Sequence, residues 1–235
     1  MKKVEQQGLS DVVYDELRHA IFTGELSLGC RLNIHDLAEE LSVSSSPIMV
    51  AVRRLSQEGL VTIKSRVGSF VAEMSQSQIQ MRMEVREMME SFAIEKFHPS
   101  GDIIARLENS VARMNEIHSV DSPSSYWEFN ELDAEFHETL ISTLDNSLMK
   151  DIYRQLHFHF WMGRLILTEE GQMPKWKASR GDHDMILDAF KNDNIALATE
   201  VLSQHLRATR LLIESYNDPS DGRQDAPSNT SVKLT

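Results

Sequence analysis

The stretch NIHDLAEELSVSSSPIMVAVRRLSQEGL, from Asn33 to Leu60, decides the fold of the first part of the chain. Apolar residues recur at helical spacing on both sides of the SVSSSP segment, which predicts two short helices joined by a tight turn. Asn33 is a suitable N-cap for the first helix, and the second helix ends near Gly59. Two such helices indicate a helix-turn-helix.

A helix precedes this stretch and two β-like runs follow it. Apolar residues recur at helical spacing over 10–22, and the turn TGELSLG comes next. The runs Leu60–Lys64 and Ser69–Val71 are separated by SRVG, which predicts a small hairpin with Arg66 at or near its tip. A short hairpin therefore closes the helix-turn-helix.

The second helix of the pair has an inward and an outward face. Ile48, Val52 and Leu55 lie on one side at helical spacing, and we expect them to pack inward. The opposite side is then free to enter a groove of a partner. It carries Ser46, Met49, Val50, Arg53 and Gln57.

The remainder of the chain, from Ser75, shows helical periodicity and no strand-like alternation. We expect a mainly α protein whose second part is an all-α antiparallel bundle of about six helices. The tail from Asp218 is polar and aperiodic, which predicts disorder. The predicted domains are 1–74, 75–217 and the tail 218–235. The predicted helices of the bundle are 75–97, 101–118, 124–143, 147–168, 175–191 and 194–216.

Charge and composition restrict the class of protein. The 235 residues carry a net charge of -12, yet residues 1–73 hold eight Lys/Arg against ten Asp/Glu, so a local basic face is possible there. Cys30 is the only cysteine, which excludes an internal disulfide and a cysteine-based zinc site. No apolar run is long enough for a membrane span or a signal peptide, so we expect a cytoplasmic protein.

Four residues of metal-binding types lie on inward helical faces, where an unpaired imidazole or carboxylate is costly to bury. Asp133 and His137 are one helical turn apart and project to the same side. His183 and His205 lie on the apolar faces of two later helices. Three nitrogens and one oxygen suit zinc, nickel or a harder divalent ion. The alternative is a set of core histidines bonded to the backbone or to one another.

The remaining histidines of this part lack the same context. His118, His157 and His159 have no such pattern of metal-binding neighbours at helical spacing. We therefore expect them to be ordinary structural histidines.

Arg86 is a candidate for ligand binding because it shares a helical face with Ile79 and Met83 and so points a guanidinium into the bundle. It could form a bidentate bond to a ligand carboxylate whose other oxygens reach the metal. The alternative is a purely structural ion pair with Glu90, one turn further on. Arg164 is a second candidate for the same pocket, although it could instead face solvent or a dimer partner.

These segments resemble a known family. The run VYDELRHAIFTGELSLGCRLNIHDLAEELSVSSSPIMVAVRRLSQEGLV, closed by RVGSFV, is similar to the winged helix-turn-helix of GntR-type bacterial transcription regulators. The helical part resembles the ligand-sensing domain of their FadR-like branch through VREMMESFAI, DAEFHETL, DHDMILDAF and IALATEVLSQHL. The resemblance covers about residues 9–216.

This resemblance implies a homodimer that binds a pseudo-palindromic double-stranded DNA operator and is switched by a small metabolite, often an organic acid. Asp133, His137, His183 and His205 match the metal motif of the family. A divalent metal ion, zinc or nickel, is therefore the expected cofactor.

The recognition helix departs from the family pattern. Where relatives usually read VSRTPVREAL, this chain reads VSSSPIMVAV, with Ser45 and Met49 in place of arginines and Val50 in place of glutamate. Met49 and Val50 could touch thymine methyl groups and shift specificity towards A·T-containing sites. The alternative is weak or partner-dependent DNA binding. The expected DNA contacts are Ser44, Ser45, Ser46, Met49, Arg53, Arg54, Lys64, Arg66 and Gly68.

The leading functional interpretation is a metabolite-responsive transcription repressor and not an enzyme. In a second interpretation the metal ion is itself the signal, and the protein is a metal sensor. A metal-dependent hydrolase is disfavoured because the sequence has no HExxH motif, no Gly-rich phosphate loop and no identifiable general base beside the ligands.

Overall fold

The computed structural model describes residues 8–97, 100–117, 122–167 and 176–215, with side chains for all of these except 76, 164–167 and 176–180. The described residues form two units, the first ending at Glu73 and the second beginning at Met74. The predicted disordered tail 218–235 lies outside the described residues, as does His118.

The first unit contains three helices and three short strands among its described residues. Asn33 caps its second helix as predicted, since its side chain accepts a hydrogen bond from the backbone N–H of His35 at 3.1 Å. The elements are α1 (Leu9–Thr23), β1 (Arg31–Leu32), α2 (Ile34–Glu40), α3 (Ser45–Gln57), β2 (Val61–Lys64) and β3 (Gly68–Val71).

The core of this unit lies where α1 packs against α3. The apolar faces of both helices are fully buried, including Leu17 and Ile21 on α1 and Ile48 and Leu55 on α3. Burying such side chains stabilises the fold by about 1.5–3 kcal/mol each. The apolar residues that recur at helical spacing in the sequence therefore form the core that stabilises the helix-turn-helix.

The three strands form one antiparallel sheet in the order β1-β3-β2. The predicted hairpin of β2 and β3 is present, and Arg66 lies in its turn with a φ of 62°. Strand β1, which pairs with β3 through Arg31 and Phe70, was not predicted because two residues are too short to show alternation. Gly68 has a φ of 142°, and a Cβ there would lie 3.0 Å from Nε of Arg31.

The second unit is entirely helical in the part that the structure describes. Among the described residues, none of the helices combines the length and the hydrophobicity that a membrane span requires. The seven helices are α4 (Gln76–Glu95), α5 (Gly101–Glu116), α6 (Pro123–Ser142), α7 (Ser147–Gln155), α8 (Phe158–Leu167), α9 (Trp176–Lys191) and α10 (Ile195–Ser215).

One predicted helix of this unit is wrong. The prediction was one helix over 147–168, but the described residues 147–167 form two helices, because the chain breaks at His157, which has the left-handed φ of 44°. The apolar pattern continues through the break, since both α7 and α8 bury apolar residues, and the break could therefore not be predicted from periodicity. Phe158, His159 and Trp161, which follow the break, are buried.

The N-cap of α2 provides a local test of the first unit. Replacement of Asn33 by Ala removes the acceptor for the His35 N–H and should destabilise α2 by about 1 kcal/mol. In hydrogen-exchange mass spectrometry on the intact protein, the α2 amides should then exchange roughly fivefold faster. Asn33→Ser, which keeps an acceptor, is the matched control, and equal exchange in the two variants would contradict this role.

Candidate metal centre

Three helices bring four metal-binding side chains together inside the second unit. Asp133 and His137 come from α6, His183 from α9 and His205 from α10. One ligand atom from each lies within 4.8 Å of the corresponding atoms of the other three. The three imidazoles are buried, and the side chain of Asp133 is 15% exposed. The four residues predicted from helical faces therefore form one cluster.

The shortest distances within the cluster are close to those between ligands that share one ion. The Nε2 atom of His183 lies 3.2 Å from Nε2 of His137 and 3.2 Å from Oδ1 of Asp133. The Nε2 of His137 is 3.9 Å from the same oxygen. Ligands bonded at about 2.0–2.2 Å to a tetrahedral ion are separated by roughly 3.3–3.6 Å. Asp133, His137 and His183 therefore need little movement to coordinate one metal ion, and all four ligand atoms lie within 4.8 Å of one another.

Two carboxylates fix the orientation of two of the imidazoles. The Nδ1 of His137 donates to Oε2 of Glu90 at 2.8 Å, and the Nδ1 of His205 donates to Oδ2 of Asp182 at 3.2 Å. Because an ionised carboxylate can only accept, the proton of each ring is on Nδ1 and the lone pair is on Nε2. Such outer carboxylates orient metal-bound histidines and raise their basicity.

Glu90 connects the cluster to Arg86. It is completely buried, and its Oε1 accepts hydrogen bonds from Nε of Arg86 at 2.6 Å and from the hydroxyl of Tyr153 at 2.5 Å. The structural ion pair that the sequence left as an alternative for Arg86 is therefore present. This ion pair leaves part of the guanidinium unpaired, because Nη2 of Arg86 is buried without a hydrogen-bond partner.

A buried polar atom without a hydrogen-bond partner supports a metal ion at this cluster. Oδ1 of Asp133 is buried and accepts no hydrogen bond, although His183 Nε2 is only 3.2 Å away. An orphaned buried acceptor costs about 1–3 kcal/mol, and a cation between these atoms would remove that cost. Burial also lowers the pKa of His137 and of His183 well below the ordinary histidine value, which keeps both rings neutral as metal binding requires.

Burial acts on the acidic member of the cluster in the opposite direction. It raises the pKa of Asp133, while the nearby positive charge of Arg86 acts to lower it. A bound divalent cation would favour the ionised carboxylate further. The residues present therefore fit a divalent ion held by three nitrogens and one oxygen.

His159 also lies at this cluster, contrary to the expectation that it is an ordinary structural histidine. It is 8% exposed, and its Nε2 lies 3.2 Å from Oδ2 of Asp133 without forming a hydrogen bond of acceptable geometry. Its direction depends on the break at His157, which the sequence pattern did not reveal. The second ligand candidate, Arg164, belongs to α8, but its side chain lies outside the described residues.

The first unit exposes most of the residues expected to contact DNA. Ser44 is the N-cap residue of α3, and Ser45, Ser46, Met49 and Arg53 are exposed on that helix. Lys64 and Arg66 are exposed on the hairpin, and Gly68 lies where β3 begins.

The guanidinium of Arg54 has two acidic partners and one aromatic partner within the unit. It lies 3.2 Å from Oδ1 of Asp11 and 3.4 Å from Oε1 of Glu58, and its Cζ is 3.6 Å above the ring of Tyr14. Its positive charge is therefore partly neutralised before any phosphate approaches.

Comparison with known proteins identifies the two units. A family model described as bacterial regulatory proteins of the gntR family matches residues 9–71, and the FCD domain model matches residues 81–208. The chain belongs to the GntR family. It combines the helix-turn-helix domain of that family with an FCD domain, as in FadR-like regulators.

The relatives are transcription regulators. The chain is 27% identical over 199 residues to the gluconate operon transcriptional repressor of Bacillus subtilis, covering 81% of this chain and 79% of that protein. It is 25% identical over 198 residues to an uncharacterised regulator in an unstable DNA locus of Streptomyces ambofaciens, covering 83% and 81%. The protein is thus a DNA-binding regulator and not an enzyme.

A solved structure shares the fold. A GntR regulator from Rhodococcus sp. RHA1 superposes with a TM-score of 0.71 at 22% identity, covering 88% of this chain and 97% of that one. The mainly α architecture with a winged helix-turn-helix is therefore confirmed.

The contact between Asp182 and His205 predicts an effect on metal affinity. Asp182→Asn removes the negative charge that orients Nδ1 of His205, and it should weaken zinc binding by about 10–100-fold. Asp188→Asn makes the same charge change at an exposed position of α9 and should leave zinc affinity unchanged. Competition with a chromogenic chelator measures both. Equal losses in the two variants would contradict the role of Asp182.

The lowered pKa values predict acid sensitivity of the metal-free protein. Since His137 and His183 stay neutral when folded, the unfolded chain takes up more protons as the pH falls below about 6.5, and stability is lost there. The loss should approach 1.4 kcal/mol per pH unit for each such histidine. Urea unfolding of chelator-treated protein between pH 7.5 and 5 measures it. His183→Asn should show a shallower pH slope, whereas a slope equal to that of the unchanged protein would contradict this assignment.

Proposed function

We propose that the protein is a homodimeric repressor whose binding to a pseudo-palindromic operator is modulated by a small carboxylate held at a divalent metal ion. The ion, zinc or nickel, is coordinated by Asp133, His137, His183 and His205. When bound, it supplies a Lewis acid that attracts the effector carboxylate. The observation that carries this proposal is the unpartnered Asp133 Oδ1 among three buried imidazoles, two of which are oriented by carboxylates.

Arg86 is the second group for effector binding in this proposal. The sequence predicted a bidentate contact between this guanidinium and the effector carboxylate. Because Nε already donates to Glu90, we propose instead a contact through Nη2, which is buried and has no hydrogen-bond partner. A carboxylate oxygen placed there would satisfy the N–H groups of Nη2 and form a charge-assisted hydrogen bond. Arg164 remains a further candidate.

The effector class is supported by chemistry and by one relative. A buried guanidinium nitrogen beside a site for a divalent cation favours an anion with oxygen donors. The Bacillus subtilis relative is named for the gluconate operon, and gluconate is a carboxylate. A small organic acid is therefore the effector that we propose.

The proposed DNA-binding surface consists of the exposed face of α3 and the hairpin of β2 and β3. Arg53, Lys64 and Arg66 would contact phosphates, and the N-terminus of α3 with its serines would add hydrogen bonds from Ser44, Ser45 and Ser46. Arg54 would contribute if it left Asp11 and Glu58. Met49 and Val50 are 45% and 50% exposed, which suits contact with thymine methyl groups.

Metal sensing is the second candidate function, and the four protein ligands favour it. A site with four protein ligands can be coordinatively complete without an organic effector, as in structural zinc sites. In that case the free metal concentration alone would set the affinity for DNA. A metal that copurifies and does not exchange would instead support the cofactor role.

The two candidates are separated by one titration on the intact protein. Binding to the DNA upstream of its own gene is followed by fluorescence anisotropy, with zinc-loaded protein and with 2-hydroxybutanoate as the probe acid. We expect the acid to weaken DNA binding by about 5–150-fold, the usual range of allosteric coupling. His183→Ala should abolish this response, while Met185→Ala, an exposed control on α9, should retain it.

Two outcomes would overturn the proposal. One is the absence of any footprint on the upstream DNA together with acid binding that survives metal removal. The other is DNA affinity that follows free zinc with no effect of the acid, which would establish the metal sensor instead.

A further inference from the structure

Four buried side-chain nitrogens among the described residues of the second unit have no hydrogen-bond partner. They are Nη2 of Arg86, Nδ2 of Asn130, Nε2 of His159 and Nδ1 of His183. The proposed carboxylate uses Arg86, and His183 belongs to the metal cluster. Because an unsatisfied buried donor is costly, Asn130 and His159 indicate further acceptors on a bound molecule.

Asn130 lies on the same face of α6 as the metal ligands. It precedes Asp133 by three residues and His137 by seven, spacings that place all three on one side of a helix. The residue is 5% exposed, and its amide nitrogen has no acceptor. The position of Asn130 is about 4.5 Å along the helix axis from that of Asp133, on the side away from His137.

His159 reaches Asp133 from α8, and its ring stacks on that of His137 with 5.3 Å between the ring centroids. Its Nε2 lies 3.2 Å from Oδ2 of Asp133, the oxygen on the other side of the carboxylate from His183. Two lone pairs at this distance would repel each other, so the proton of the ring belongs on Nε2. The poor angle towards Oδ2 leaves that N–H free to serve a second acceptor.

His159 is distinct from the metal ligands. It is not among the four residues whose ligand atoms lie within 4.8 Å of one another. The guanidinium of Arg86 is close to this end of α8, since its Cζ lies 4.7 Å above the ring of Phe158. Arg86, Asn130 and His159 therefore border the site from α4, α6 and α8.

We propose that Asn130 and His159 determine effector specificity by donating hydrogen bonds to uncharged oxygens, so that the effector is a monocarboxylate with additional hydroxyl or carbonyl groups. This inference rests on the proposed function. A second carboxylate is disfavoured, because Asn130 carries no charge and the charge of Arg86 is already paired with Glu90. The chelating end of the acid binds the metal and Arg86, and its chain extends towards Asn130.

Three acids with one chain length test the inference on zinc-loaded protein by calorimetry. They share the 2-hydroxy acid end: 2-hydroxybutanoate has no further oxygen, threonate has two more hydroxyls, and malate has a second carboxylate. We expect threonate to bind at least tenfold more tightly than 2-hydroxybutanoate, as two added hydrogen bonds predict. Malate should bind more weakly than threonate.

Variants assign the preference to the two residues. Asn130→Leu and His159→Phe should each lower the preference for threonate severalfold, and the double variant should bring it to about one. Affinity for 2-hydroxybutanoate and zinc content should stay unchanged, which serves as the control for folding. His159→Gln keeps a donor near the position of Nε2 and should retain most of the preference, which a purely structural role would not explain.

The outcomes separate this inference from the proposed function. If none of the acids binds zinc-loaded protein, the proposed function fails and the inference fails with it. If the acids bind but threonate has no advantage, if malate is preferred, or if the variants leave the preference unchanged, only the inference is overturned. Loss of zinc in His159→Phe would make His159 a metal ligand and would also overturn it.

Discussion

The second unit depends on how three imidazoles and one carboxylate are accommodated in an apolar interior. His137 and His183 are completely buried, and they meet Asp133 at distances of 3.2–3.9 Å. Such groups are costly to bury unless each polar atom has a partner. The helices α6, α9 and α10 are joined at this point, so whatever satisfies the cluster also fixes how these helices pack. A cation there would stabilise the bundle and the site together.

The polar groups around the cluster extend this constraint to α4 and α7. Glu90 receives hydrogen bonds from Arg86, His137 and Tyr153, and all four side chains are buried. The network links the orientation of a metal-binding imidazole to the position of a guanidinium that can reach an anion. A molecule that binds Arg86 would therefore act on the same network that holds His137. This provides a physical route from ligand binding to a change in helix packing.

Much of this arrangement could be predicted from helical periodicity. The apolar neighbours of Asp133, His137, His183 and His205 showed that all four side chains point inward, and the structure brings them together. The Asn33 cap and the hairpin were predicted from equally local signals. His159 could not be predicted, because its direction depends on the left-handed conformation of His157, and an uninterrupted helix over 147–168 fits the apolar pattern equally well. Strand β1 was missed because its two residues form a strand only by pairing with β3.

The sequence by itself determined the order of the helices apart from the break at His157, the inward faces and the four candidate metal ligands. These properties depend on residue spacing within one element, and such spacing is visible in a linear chain. The tertiary structure decided which side chains of different helices are in contact. It placed Glu90 within hydrogen-bond distance of His137 and brought Nε2 of His159 to Oδ2 of Asp133. It also paired Nε of Arg86 with Glu90 while leaving Nη2 without a hydrogen-bond partner. These contacts join residues that are distant in sequence or turned by a local break, and no periodicity encodes the distance between two helices.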